Sequence, residues 1–416
     1  MATGEIYRTR TTCPSFAFFF LHTCTAWPVG VVGLAVSSSL VKAGVSLPLS
    51  AGIIVATSLA FTFEFIWAPM VDACLTRRLW FVAGSIVMCV CLAALLIAPW
   101  NAAAVPVMTV LAFASSSGAA IAAVAVKGIM AYDVPAARIG SASGFYTAGG
   151  AFAKAVGGAG TLWLLTHLAD RTVAAILSTG VAALAGGAIL LALPGQLVPP
   201  RALPAKLLGA LVDLWAFLRT RNGALIGVLC VIPFGAGTES GLIGAIAREW
   251  AVSPDQLALF GTFGAATNVA GAIFGGWLST RIGPWTAYLL LGWSMISVML
   301  GFAYSPRMAM YFMAVELFYR ALATASYATL LAIVMKAIGK GAASTKAAGM
   351  WSLTNLAFAY PTLIEGSVHD RAGTSAMLLT DVGLGVIGFG VLMVAVRVLK
   401  PGIHTLAPPE ETGTTS

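Results

Sequence analysis

Five ionisable residues stand out among those that lie inside the long apolar stretches of this chain, at positions where water is not expected. An ionised side chain at the centre of a bilayer-spanning segment costs at least ~2.5–3.5 kcal/mol, so it is retained where it pairs or lines a polar cavity. Each such position is a candidate for binding a charged solute or carrying a proton. The five candidates are Lys154, Glu239, Glu316, Arg320 and Glu365.

Glu316 and Arg320 are four residues apart within one apolar stretch. On a helix this spacing places both side chains on the same face, where they can pair. Two interpretations follow from the spacing. The pair is a structural ion pair that neutralises itself, or Arg320 holds an anionic group of a solute while Glu316 takes up a proton.

Lys154 is flanked by four glycines, at positions 149, 150, 157 and 158. Small residues predict close helix packing, so the ammonium group must point into a cavity or reach a carboxylate. We favour the cavity. Lys127, near the inner end of its stretch, is expected to anchor the interface or to pair with Asp133.

The two remaining glutamates suggest different environments. Glu239 follows Pro233 in a glycine-rich segment, which predicts a broken span with a solute or proton site. Glu365 and His369 are four residues apart near the outer end of a span. They could share a proton, and positions near the outer interface explain them equally well.

The composition identifies the surroundings of these residues as a membrane. Hydrophobic residues make up 59% of the chain, charged residues only 9%, and the mean hydropathy is +0.93. A soluble surface needs far more charge, and roughly 20 apolar residues are needed per span. The chain therefore predicts an all-α polytopic membrane protein with about twelve transmembrane helices in two six-helix bundles. The predicted spans are 14–41, 48–70, 79–99, 102–131, 141–167, 172–193, 224–247, 257–280, 285–304, 308–335, 347–368 and 377–399.

Loop charges predict the orientation, because cytoplasmic loops are enriched in Lys and Arg. With both termini cytoplasmic, the outer loops hold only Lys42, Arg171, Arg248, Arg307 and Arg371. The inner loops and tails hold Arg8, Arg10, Arg77, Arg78, Arg138, Arg201, Lys206, Arg219, Arg221, Arg281, Lys336, Lys340, Lys346, Arg397 and Lys400. This bias also accounts for the net charge of +8 without a nucleic-acid partner.

Charged residues at the inner ends of the spans predict a cytoplasmic gate. Carboxylates there could hold arginines and helix C-termini when the protein is closed on that side. Glu64 lies two turns before Asp72 and is assigned to the same gate. The predicted gate comprises Glu64, Asp72, Arg77, Arg78, Asp133, Arg138 and Arg281.

A proline-rich segment at 194–204 divides the chain near its middle. We predict a bundle over 1–193, a cytoplasmic linker over 194–221, a second bundle over 222–400 and a disordered tail over 401–416. Within the linker, 206–219 has the apolar stripe and basic flank of an interfacial helix. Pro28 matches Pro233 and Trp80 matches Trp285 at one common offset, which favours two parallel repeats with a solute site between them.

Three segments resemble one known family of transporters. They are Trp67-Ala-Pro69-x-x-Asp72 with Arg77-Arg78-x-Trp80, the loop 133–146, and 347–373. These segments resemble the AmpG-like muropeptide permeases of the major facilitator superfamily, whose relatives include siderophore permeases and acetyl-CoA transporters. The resemblance implies a symporter that imports its solute across the inner membrane of a bacterium.

Motifs of other protein classes are missing or stand in the wrong context. The G-x-G-x-x-G match at 383–388 lies inside a predicted span with no preceding strand. There is no P-loop, no G-x-S-x-G element and no metal-ligand spacing of His and Cys. We therefore expect no enzyme activity, no cofactor, no metal and no disulfide. The expected partners are a small-molecule solute, protons and the lipid bilayer, with the protein as a monomer.

The sequence thus predicts a proton-coupled secondary transporter for an anionic or zwitterionic solute such as a muropeptide or siderophore. Two alternatives remain open. One is an exporter of amphiphilic compounds, since many aromatic residues and few charges would also suit such cargo. The other is a polytopic membrane sensor without transport activity.

Overall fold

A computed structural model of the protein describes residues 13–192, 203–232, 246–339 and 341–399. All regular secondary structure in these ranges is helical, which confirms the all-α polytopic fold. Seven helices are individually long and apolar enough to span a bilayer, and two bent helix pairs raise this number to nine within the described residues.

The first half contains six spans in chain order. The first is Ala17–Lys42 and the second consists of Leu47–Thr62 and Glu64–Ala73. The third is Arg77–Ile97 and the fourth Ala102–Asp133. The fifth runs through Ile139–Phe152, Ala153–Gly157 and Gly158–His167, and the sixth is Arg171–Leu191.

The second half begins with a surface helix, Leu203–Arg219, three residues earlier than the sequence predicts. The chain then bends by 86° into Arg221–Val231, the start of the seventh span. The eighth, ninth and tenth spans are Pro254–Ile282, Pro284–Ala303 and Ala309–Ile338. The eleventh and twelfth form one helical segment, Ala343–Leu399, which Gly373 interrupts with a φ of 79°. The proline-rich part of the linker and the tail lie outside the described residues.

Three irregularities break spans that face the centre of the molecule. Phe63 leaves the helical conformation (φ −94°, ψ 17°), so the second span bends by 40° between its two helices. Val31–Val36 and Ala153–Gly157 are π-helical, a conformation that frequently marks functional sites. The two π-helical segments adjoin, because a Cβ on Gly30 would lie 2.4 Å from the carbonyl oxygen of Lys154.

The two halves touch where the fifth span crosses the eighth. A Cβ added to Gly144 would lie 2.8 Å from the Cα of Gly276, and one added to Gly276 would lie 2.6 Å from the Cα of Gly144. Only glycine permits this approach of two backbones, as at other close helix crossings in membranes. The crossing holds the inner halves of these spans together.

Candidate functional site

A cavity of about 640 Å³ lies between the two halves. The first, second and fifth spans line it on one side, and the eighth, tenth and eleventh on the other. Such a volume falls within the range of small-molecule sites. The lining includes His22, Ser58, Phe61, Thr147, Lys154, Asn268, Arg320, Thr324, Tyr327, Trp351 and Asn355.

Each half contributes one cationic side chain to this cavity. Lys154 lies on the π-helical segment of the fifth span and is exposed. Arg320 lies on the tenth span, and its side chain is 22% exposed. The sequence predicted a cavity position for Lys154, and the structure places it there.

Glu316 is 2% exposed and accepts a hydrogen bond from Arg320 Nε at 2.9 Å. The carboxylate lies inside the helix packing, while the guanidinium reaches the cavity wall. On the eighth span, a Cβ added to Gly264 would lie 3.1 Å from Arg320 Nη1. Because Gly264 has no side chain, the guanidinium of Arg320 fits beside this span. Glu316 therefore orients Arg320, and the pairing expected from the four-residue spacing is present.

Amide and aromatic side chains complete the cavity wall. Asn268 and Asn355 stand opposite the first half, and the rings of Tyr327 and Trp351 pack edge to face at 4.8 Å. The sequence analysis missed both asparagines, although an amide in mid-span is a readable signal. It also missed Asp381, which is buried in the twelfth span and accepts a hydrogen bond from Tyr319 Oη at 3.2 Å.

His22 lines the cavity from the first span. Its Nδ1 lies 2.6 Å from the backbone oxygen of Tyr146, and the two rings stack at 3.6 Å. Gly150 makes room for the imidazole, since a Cβ there would lie 2.5 Å from its Cε1. The contact fixes the histidine ring at the cavity surface.

Asp72 connects the two halves at their inner ends. Its carboxylate accepts hydrogen bonds from the backbone nitrogens of Ser344 (3.4 Å) and Thr345 (2.8 Å) and from Thr345 Oγ1 (2.9 Å). Arg77 lies 3.7 Å away as its ion-pair partner. The carboxylate caps the N-terminus of the eleventh span, whereas the sequence analysis expected C-termini. That expectation was wrong for Asp72, because the positive end of the helix dipole attracts the carboxylate.

Neighbouring contacts extend this connection, which we call the inner latch (Asp72, Arg77, Tyr132, Gly341, Ser344 and Thr345). The Arg77 guanidinium lies 3.9 Å from the Tyr132 ring centroid, and the Tyr132 hydroxyl accepts a hydrogen bond from Gly341 N at 2.9 Å. The surface helix joins the same region through Asp213, which pairs with Lys346 at 2.9 Å.

Two of the other predicted gate arginines, Arg78 and Arg281, contact residues of their own half. Arg78 donates to the backbone oxygen of Leu190 at 3.1 Å, and Arg281 lies over the ring of Trp277 on its own helix. Arg138 lies in the short turn Ala136–Arg138 before the fifth span.

Another predicted gate residue, Asp133, ends the fourth span near Cys13. Burial and the charge of Asp133 raise the pKa of the Cys13 thiol to about 11.

Glu64 does not take part in the inner latch. It is 1% exposed and forms an ion pair with Lys127 of the fourth span, which is also 1% exposed. Lys127 Nζ lies 5.2 Å from the ring of Trp351 in the second half. The structure therefore differs from two predictions: that Glu64 belongs to the gate, and that Lys127 pairs with Asp133.

Of the last two candidates, one lies outside the described residues and the other lies away from the cavity lining. Glu239 lies outside the described residues. Glu365 is buried in the eleventh span and is not among the residues that line the cavity. His369, the partner expected for Glu365, lies 3.8 Å from Glu249 and 3.7 Å from Asp370.

No family model and no curated protein sequence matches this chain. Several solved structures do match this chain. The E. coli fucose:proton symporter FucP superposes with a TM-score of 0.70 at 14% identity, covering 92% of this chain and 97% of that one. The human organic anion transporter MFSD10 gives 0.64 at 18% identity, covering 92% and 99%. A bacterial homologue of the iron transporter ferroportin, in an outward-facing state, gives 0.64 at 13% identity, covering 92% and 98%.

This chain has the fold of the major facilitator transporters. The likeness extends over both halves, and the three proteins named are transporters rather than enzymes. The muropeptide permease subgroup suggested by the sequence motifs is a finer assignment than this likeness of fold supports.

Within the major facilitator fold, this chain is closed on the inner side of its cavity. On the fifth span, Gly140 and Gly144 contact the other half, while cavity residues begin at Thr147. On the eleventh span the latch contacts at 344 and 345 likewise precede the cavity residues at 351 and 355. The named contacts between the halves therefore lie between the cavity and the predicted cytoplasmic face.

Proposed function

We propose that this protein is a proton-coupled secondary transporter that imports an anionic or zwitterionic organic solute by alternating access. The observation that carries the proposal is the pair of cations, Lys154 and Arg320, contributed to one cavity by opposite halves. We place the protein in the cytoplasmic membrane of a bacterium, as the sequence resemblance and the loop charges imply.

The positions of the two cations suggest how the solute drives closure. An anionic group that bridges Lys154 and Arg320 gains charge-assisted hydrogen bonds from both halves at once. These bonds favour the state in which the halves approach each other around the solute. The solute therefore binds more tightly when the halves are close together than when they are apart. This difference in affinity is what a solute-driven conformational change requires.

The remaining lining favours an organic solute over a metal cargo. Asn268 and Asn355 offer amide donors and acceptors, and Tyr327 and Trp351 offer apolar faces for a ring or acyl group. Among the described residues, no group of three or more His, Cys, Asp or Glu side chains is placed to hold a metal ion. A muropeptide-like or siderophore-like anion suits this lining, in keeping with the sequence motifs.

The known transporters of this fold support the solute class and the coupling in general terms. One similar structure is a fucose:proton symporter and another is an organic anion transporter. The closed inner latch supports loading from the outer side, in keeping with import. Opening of the latch would then release the solute to the cytoplasm.

Uptake by proteoliposomes tests the proposal. The protein would be offered an anhydromuropeptide, a ferric siderophore and acetyl-CoA in turn, with the interior more alkaline than the exterior. We expect one class to accumulate, and Lys154→Gln or Arg320→Gln to weaken its apparent affinity roughly tenfold or more, the equivalent of about 1.4 kcal/mol per lost contact.

Arg171→Gln is the matched control. It removes a cation that lies over Trp100, away from the cavity, and should leave uptake unchanged. No accumulation of any class would contradict the proposal. Accumulation that survives both cavity substitutions would contradict the assigned roles of Lys154 and Arg320.

A further inference from the structure

We infer that the buried pair Glu64–Lys127 binds the coupling proton at a site separate from the solute cavity. The inference rests on the proposed transport function. The sequence analysis assigned coupling to glutamates elsewhere, but the geometry gives Glu316 a different task, the orientation of Arg320. Glu64 and Lys127 are both 1% exposed, and neither lines the cavity.

The pair lies between the cavity and the inner latch. Trp351, which lines the cavity, places its ring 5.2 Å from Lys127 Nζ. On the other side, Asp72 lies two turns further along the helix Glu64–Ala73. An ionisable pair therefore lies directly below the cavity, at the level where the halves must separate for the inner side to open.

The break in the second span ties this pair to the second half. Phe63 interrupts the helix, and the backbone oxygen of Thr62 accepts a hydrogen bond from Ser352 Oγ at 3.0 Å. Ser352 and Trp351 are consecutive residues of the eleventh span. One short segment of the second half thus contacts both the break and Lys127, and both contacts end when the halves separate.

Stability alone gives little reason for this pair. A buried ion pair contributes little net stability compared with apolar residues of similar volume, because desolvation offsets most of the attraction. Both charges have a function if Glu64 binds and releases a proton during the cycle while Lys127 serves as its counter-charge. The pair lies at the interface that moves, so its surroundings would change during that cycle.

Solute charge and proton binding at this site are linked electrostatically. His22, in the cavity wall, is within electrostatic range of both Lys127 and Lys154. When Glu64 binds a proton while Lys127 keeps its own, Lys127 loses its counter-charge. This loss is unfavourable while the cavity is empty. An anion in the cavity offsets that excess positive charge, so anion and proton each strengthen the binding of the other.

The titratable groups that surround the site come from four other spans. Lys127 faces Glu64 directly from the fourth span, and Tyr146 of the fifth is within electrostatic range of both Glu64 and Tyr327. Tyr146 in turn stacks on His22, which lines the cavity. Tyr146 therefore contacts the cavity residue His22 directly and lies within electrostatic range of Glu64.

These contacts define a cycle. A proton from the outer solution binds a Glu64 carboxylate oxygen after the anion enters, and the ion pair with Lys127 breaks. Opening of the inner side withdraws Trp351 and Ser352 and exposes Glu64 to the cytoplasm. There the solute leaves, the proton leaves the carboxyl group, and Glu64 pairs with Lys127 again.

The test uses the full chain in proteoliposomes with the double variant Glu64→Gln, Lys127→Gln, which removes both charges and leaves no uncompensated one. Uptake of anhydromuropeptide, ferric siderophore and acetyl-CoA is measured as counterflow at equal pH and as accumulation with the interior one pH unit higher. The wild type should show about tenfold stimulation by the gradient. The double variant should retain counterflow and lose the stimulation, whereas the control Arg171→Gln, whose native arginine lies over Trp100 away from the cavity, should keep both.

Gradient stimulation that persists in the double variant would overturn the inference and leave the transport function standing. Absence of counterflow in the wild type for all three probes would instead contradict the transport function. Where the double variant shows no counterflow, infrared difference spectroscopy of the lipid-reconstituted protein decides. A carboxylic acid stretch that titrates in the wild type and in Glu316→Gln but is absent from the double variant supports Glu64, and one that persists in the double variant overturns it.

Discussion

Two buried glutamates pair with basic residues in this protein, and their surroundings give them different roles. Glu316 lies four residues from Arg320, whose guanidinium reaches the cavity. Glu64 lies 63 positions from Lys127, and both side chains are fully enclosed. The first pair could be predicted from helix spacing. The second could not, because the fourth and second spans meet only through tertiary packing.

The enclosed pair predicts an asymmetry between single and double substitutions. Lys127→Met should lower the free energy of unfolding by about 3–5 kcal/mol, because Glu64 is left as an uncompensated buried charge. The double variant Glu64→Met, Lys127→Met should recover most of that loss, since it buries no charge.

Thermal or denaturant unfolding in detergent, followed by tryptophan fluorescence, measures both variants. An equal loss in the single and the double variant would show that packing, rather than charge, dominates at this site.

Among the helices, the second and the eleventh spans form the connection that closes the inner side. Asp72 was recognised in the sequence because an acid followed by paired arginines between two spans is a strong signal. Its partner, the N-terminus at Ser344 and Thr345, could not be predicted, since it lies in the other half. The charge pattern also placed Glu64 in the gate, because proximity along one helix does not reveal the bend at Phe63.

Asp72→Asn tests the role of this connection. An asparagine still caps a helix well, but it loses the charge that favours both Arg77 and the helix dipole. We expect a several-fold lower maximal uptake rate with a nearly unchanged apparent affinity, measured by initial rates of proteoliposome uptake over a range of solute concentrations.

Arg78→Gln provides the comparison, because Arg78 contacts Leu190 within its own half and should affect the rate less. A large loss of affinity in Asp72→Asn at an unchanged rate would refute the role of Asp72 in the latch.

At the scale of the whole molecule, hydropathy and loop charges were sufficient to predict the membrane fold and its helical class. They succeed because a bilayer requires long apolar helices and imposes a charge bias on the loops. The cavity was only partly predictable. Lys154 and Arg320 stand out as charges in apolar spans, whereas His22 and Trp351 acquire their roles only when the two halves pack together.

One measurement tests the central claim, that the halves alternate about a cavity sealed on its inner side. Spin labels attached through unnatural amino acids at Ala137 and Ile282, both exposed at the inner ends of opposite halves, report the inner separation by double electron–electron resonance. We predict a single short distance in lipid without solute and a second, longer distance when a transported anion is added at acidic pH. A distance that stays unchanged under these conditions, in protein that still takes up the anion, would contradict alternating access.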